Sequence, residues 1–205
     1  MRSQKGVGYR IQHHAPVARV LDGLALCHLL AFALVAPELI CCGVVVFLPL
    51  NELPALFPHV VDWISCLEKQ AQESGRALTP IEFNLAQTVG VAHPEEVLIV
   101  SIPRIPLPSH PRVKQLARRV GLLNADTAGL TAVYGVIVRR DCANNLRLLA
   151  HEFVHVAQYE RLGREGFLQE YIQQIAAREY PNAPFELEAE AKAIKACRDA
   201  GVRPF

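Results

Sequence analysis

The sequence predicts an α+β domain, mainly helical, with a small β-sheet whose edge strand precedes the helix carrying His151-Glu152-Phe153-Val154-His155. Three observations carry that expectation. Residues 144–163, NNLRLLAHEFVHVAQYERLG, place Leu146, Leu149, Ala150, Phe153, Val154 and Ala157 at helical spacing, an apolar stripe suited to a buried helix. Two β-branched runs, VLIVSI at 97–102 and the segment 130–139, read as strands. The remaining periodic segments carry helix starts and glycine stops rather than strand alternation.

A chain of 205 residues has room for one domain with a true core, and 51% hydrophobic against 20% charged residues excludes a disordered chain. The net charge of +1 leaves no electrostatic footprint for a nucleic acid, so none is expected as a partner. Cys27, Cys41, Cys42, Cys66, Cys142 and Cys197 form no C-x-x-C pair and no regular spacing. That pattern argues against a cysteine zinc site and a secreted disulfide framework, and for free thiols in a reducing, cytoplasmic setting.

Two regions are expected, a basic and apolar segment over 1–50 and the metal-site domain over 51–205. Residues 1–19 hold Arg2, Lys5, Arg10 and Arg19 with no acidic residue and read as a basic tail. Residues 21–50 are nearly all apolar but are interrupted by Pro37-Glu38 and Gly43. Each half suits a buried helix or a β-rich segment. The whole is long enough for a membrane span or membrane association, and Ala31-Phe32-Ala33 is a weak signal-peptide cleavage pattern. Packing within the protein is the preferred reading.

Residues 54–75 read as an amphipathic helix that starts after Phe57-Pro58 and stops at Gly75, with Trp63 as a packing residue. Thr79-Pro80 opens a second helix, with Glu82 completing a capping box. His93-Pro94 begins a short turn. The prolines from Pro103 to Pro111 make that segment extended, with His93 and His110 as surface loop residues rather than ligands. Residues 113–120 read as a basic-faced helix ended by Gly121. Residues 130–139 read as one strand, with Gly135 as a bulge or a point of close approach. Its position directly before the metal helix favours an exposed edge to which an extended peptide adds.

Histidines at i and i+4 lie one above the other on a helix, so His151 and His155 can reach a single Zn²⁺. Glu152 projects beside them, placed to take a proton from a zinc-bound water. Asn144 or Asn145 caps the helix and Gly163 stops it. Two histidines need a third protein ligand, and the last helix, from Phe185, opens with Glu186, Glu188 and Glu190. Glu186 and Glu190 share a face with Ala189, Ala193 and Cys197. Glu186 is therefore the preferred ligand and Glu188 the alternative, while Glu190 is placed to orient an imidazole from behind. First-turn glutamates also complement the helix dipole, which is the competing local explanation.

HEFVH on one helix, followed about 30 residues later by E-L-E-A-E on another, resembles the gluzincin branch of the zincin metallopeptidases. There the third ligand is the glutamate of an E-x-x-x-D arrangement. Glu186 matches that glutamate, and Glu190 stands where the aspartate would be, longer by one methylene. The run also resembles small bacterial zincin-like domains in which a glutamine and an aromatic residue follow the second histidine and a proline precedes the ligand glutamate. The resemblance covers residues 130–196. It implies a zincin-like fold, zinc as the cofactor and a peptide or protein as the substrate. Tyr159, Tyr171, Tyr180 and the histidines outside the motif are candidates for stabilising an oxyanion, none singled out by spacing. Two other readings compete, a zinc-stabilised binding or scaffold domain that cleaves nothing and a membrane-associated module recruited through residues 21–50.

Overall fold

The computed structural model describes residues 51–202 except 179 and 181. The expectations for residues 1–50 (basic tail, membrane association, signal peptide) lie outside the described residues. Among the described residues five helices accompany a four-stranded mixed sheet, an α+β arrangement as expected. Among the described residues no helix is long and apolar enough to cross a membrane.

Helix α1 spans Leu53–Ser74 and includes Pro58, so it starts a turn earlier than the proline suggested. Pro54, in the first turn, costs little because the first amides have no carbonyl partner within the helix, whereas Pro58 lies inside the helix and leaves the Pro54 carbonyl without its amide. The two-residue strand β1 (Arg76–Ala77) leads to α2 (Pro80–Val89). The Thr79 amide donates to Glu82 at 2.7 Å, as the capping-box reading requires. A short 3-10 turn at Pro94–Glu96 precedes β2 (Leu98–Ile102), and the proline-rich stretch then runs without helix or strand to α3 (Pro111–Arg119). His93 is exposed. His110 is half-buried, caps α3 through its ring and stacks on His59, so it is not a plain surface residue.

Residues 130–139 are not one strand. They form a hairpin of β3 (Gly129–Ala132) and β4 (Gly135–Arg139), turning at Val133-Tyr134. The turn lacks a glycine or asparagine, and Val133 takes φ 56°, which a β-branched residue rarely adopts. No turn signal marks it in the sequence. Gly135 is a point of close approach, because a Cβ there would lie 2.7 Å from Ala71 Cβ on α1.

The strand order is β1-β2-β4-β3, with β2 and β4 parallel and the outer pairs antiparallel. Strand β4 is buried on both faces. Val136 and Val138 face a cluster with Leu85, Phe153 and Ala193, whereas Ile137 faces Ile64, Leu67 and Tyr159. Strand β3 is an edge among the described strands and β4 is not, so the edge position is held by four residues and not by the whole 130–139 segment.

Helix α4 (Leu146–Arg178) is broken at Gly163, where φ 70° and ψ 168° leave the helical region. Gly163 therefore ends the first piece as expected, but the second piece resumes at once instead of at Phe167. The final helix α5 (Pro184–Asp199) packs along α4 through Ala189 and Ala193, both with no exposed surface. Small side chains there let the two helices approach closely, which brings Glu186 to the histidines.

Candidate metal centre

The Asn145 side chain accepts the amides of Arg147 and Leu148, both at 3.1 Å, and so caps α4 where the sequence places a cap. One turn on, Leu149, Ala150, Phe153 and Val154 are fully buried. That anchors the helix in one rotation, with His151 and His155 directed at α5.

The two Nε2 atoms lie 3.1 Å apart, and each is 3.3 Å from an oxygen of Glu186. A tetrahedral centre with bonds of about 2.0–2.1 Å separates its donors by about 3.3 Å, so these spacings suit one small cation. Taken with one ligand atom per residue, all three donors lie within 4.8 Å of one another. Among the described residues this is the group of histidine, cysteine and acidic side chains that converges in this way. Two imidazoles and a carboxylate are a donor set that zinc accepts and that leaves a fourth position open.

The surroundings orient each donor. Gln158, with no exposed surface, places Oε1 2.8 Å from His155 Nδ1. An amide oxygen only accepts, so Nδ1 carries the hydrogen in this contact and Nε2 is the nitrogen that faces Glu186. The Gln158 amide nitrogen donates in turn to the Phe185 carbonyl at 3.1 Å and to Glu188 at 2.9 Å. Tyr171 donates to Glu186 Oε1 at 2.6 Å. Burial, and then the Glu186 charge, push the Tyr171 phenol well above its usual range, so it remains a donor. Phe167 and Tyr171 meet the His155 ring edge-on, and both stack on Phe185.

Burial disfavours a charge on His151, but hydrogen bonds to Glu186 and Glu190 outweigh it and push that imidazole up to about 10. For Glu186 burial acts upward, and the two histidines overcome it, holding the carboxyl far below its ordinary value. Glu190 Oε2 stands 3.8 Å from His151 Nδ1 and its other oxygen pairs with Arg147, so it faces the back of the imidazole. Glu188 is turned away. It pairs with Lys192 at 2.8 Å and with Arg161 at 3.3 Å, and these partners, with Gln158, overcome burial to hold it at about 2. The Glu188 alternative therefore does not reach the centre.

Glu152 is 5% exposed and points at β3, where Thr131 Oγ1 donates to its Oε2 at 2.7 Å. Tyr180 stands close enough that burial and the charges of Glu186, Glu152 and Glu190 push its phenol up. Tyr159 is packed on Phe167 in the core, 3% exposed, which removes it as an oxyanion candidate. A depression of about 310 Å³ beside α1, lined by His59, Trp63, Cys66 and Leu107, shares no residue with the triad.

Sequence reasoning missed the roles of Gln158 and Thr131. Gln158 is three residues after His155 and so on the same helix face, a usable signal. Thr131 is 21 residues from Glu152 on another element, with no local signal. Comparison with known proteins finds no matching family model, no matching curated protein and no matching solved structure.

Proposed function

We propose that the chain is a zinc-dependent metallohydrolase, a peptidase, with His151, His155 and Glu186 as ligands and Glu152 as general base. The convergence of those three donors beside a buried, ionisable Glu152 carries the reading. Zinc in such a donor set acts as a Lewis acid, polarising a carbonyl and lowering the pKa of a water it holds to about 7. The chain's own groups do the rest. Glu152 accepts a proton and returns it to the leaving amine. Gln158 and Glu190 keep the imidazoles in their ligating orientation, and Tyr171 steadies Glu186. Among the described strands β3 is paired on one side only, an edge along which an extended peptide would lie, hence a peptide or protein substrate. The free thiols Cys66, Cys142 and Cys197 support a cytoplasmic location.

A second reading rests on one observation. Glu152 is tied to Thr131, as it would be in a zinc-stabilised scaffold that binds a partner and cleaves nothing. Metal analysis of the purified protein against His151→Ala, and digestion of unstructured casein with Glu152→Gln as the control, decide between them. A zinc hydrolase loses metal in the first variant and turnover in the second. Unchanged zinc content in His151→Ala would sink the site, and equal behaviour of wild type and Glu152→Gln would favour the scaffold.

A further inference from the structure

Gly129 is a glycine without a conformational reason. Glycines 90, 121, 163 and 201 have positive φ, and Gly129 is not among them. What distinguishes it is space. A Cβ at position 129 would lie 2.4 Å from Glu152 Oε1 and 2.9 Å from its Cδ, closer than side chains approach one another. Gly129 and Thr131 are two residues apart on β3, paired with Val138 and Val136, and so present the same face of the strand. That face meets α4. It offers a gap at 129 and a hydroxyl at 131, and the Glu152 carboxylate fills the gap with one oxygen and accepts the hydroxyl with the other. Thr131 is itself buried, and its oxygen also lies 3.1 Å from the Glu152 backbone carbonyl.

We infer that Gly129 and Thr131 of the edge strand are positioning residues for Glu152, a cradle that holds its carboxylate in one place beside the metal centre. The inference rests on the reading of Glu152 as a general base, and it adds why the sequence needs a glycine and a hydroxyl two positions apart on that strand. A glutamate has three side-chain torsions. Without the cradle its carboxylate would sample several positions, and misplacing a catalytic group by about 1 Å can cost roughly 100-fold in rate. The same strand would carry the substrate backbone, so one rigid element would set both the peptide and the base.

Two measurements on the zinc-loaded full chain test this. The first is thermal unfolding of Gly129→Ala and Thr131→Val, each made in the wild type and in the Glu152→Ala background. With Glu152 present, each substitution lowers Tm by roughly 2–8 °C, through the displaced carboxylate or its lost hydrogen bond. In the Glu152→Ala background the effect shrinks to about 1 °C, because the group being held is gone. Equal shifts in both backgrounds would overturn the cradle. The second is casein hydrolysis. Thr131→Val lowers kcat roughly 10- to 100-fold with KM and bound zinc unchanged, and Thr131→Ser restores most of it. A Thr131→Val protein with wild-type kcat would overturn the positioning role. If the wild type itself cleaves nothing, the hydrolase reading falls, while the unfolding cycle still supports or overturns the cradle.

Discussion

Gln158 Oε1 lies 2.8 Å from His155 Nδ1, and this contact decides which nitrogen of His155 faces Glu186. The amide is itself pinned from behind, because its nitrogen donates to the Phe185 carbonyl and to Glu188 on α5. One buried side chain on α4 therefore reads the position of α5 and transmits it to His155. The candidate metal centre and the docking of the last helix are parts of one hydrogen-bond network.

Replacing Gln158 by leucine tests that link. The volume is nearly kept, but His155 Nδ1–H and the Phe185 carbonyl lose a buried partner. Stability should fall by about 1–3 kcal/mol. Zinc affinity, measured by competition with a chelating dye, should weaken roughly 10- to 100-fold, the usual effect of losing a group that orients a ligand. An unchanged affinity would mean that His155 is oriented by its aromatic surroundings alone.

Much of the fold and most of the centre were legible in the sequence, for a common physical reason. His151, His155, Glu186 and Glu190 sit on helices, where spacing fixes which face a side chain shares, and the caps at Asn145 and Thr79 are local signals. What was not legible depends on contacts between distant elements. The Thr131–Glu152 bond and the Gly129 gap arise only once β3 packs on α4. The break between β3 and β4 was hidden for a different reason. Its turn uses Val133-Tyr134, residues that read as strand, in a conformation that tertiary packing imposes on them.

Val133 gives a prediction of opposite sign to most substitutions. A β-branched residue at φ 56° stores on the order of 1–3 kcal/mol of backbone strain. Val133→Gly should relieve part of it. The side chain packs only partly against the core, so its loss offsets some of the gain. A net stabilisation of about 0.5–1 kcal/mol is expected in urea unfolding. A loss of more than that would mean that Val133 is held for its packing.

Acid stability should depend on Glu82. Burial acts to raise its carboxyl, but Arg76, bonded through two nitrogens at 2.7 Å each, and the Thr79 amide outweigh burial and lower it below 4.5. A carboxyl lowered in the folded state stabilises the protein fully above its unfolded pKa. That contribution is lost as pH falls from about 4.5 through the lower folded value. Glu82→Gln should therefore lower Tm at pH 7 and flatten the decline of Tm below pH 4.5. If wild type and variant decline in parallel through that window, the pair carries no pH-dependent stability.

Two glycines three residues apart on α4 should respond oppositely to alanine. At Gly163, φ 70° and ψ 168° belong to a region open to glycine almost alone, yet an added Cβ would meet nothing within 4 Å. The cost of Gly163→Ala is then purely conformational, about 1–3 kcal/mol. It falls on the bend that turns the second piece of α4 so that Tyr171 reaches Glu186 and Gln174 accepts the Phe185 amide. Gly166 lies in regular helix with Leu162 Cβ at 3.7 Å from its added carbon, an ordinary contact. There alanine restricts the unfolded chain and suits the helix, so Gly166→Ala should stabilise by about 0.4–1 kcal/mol. Urea unfolding of the two variants side by side checks both signs. A stabilising Gly163→Ala would mean that α4 runs straight through that point, and Tyr171 would then need another route to Glu186.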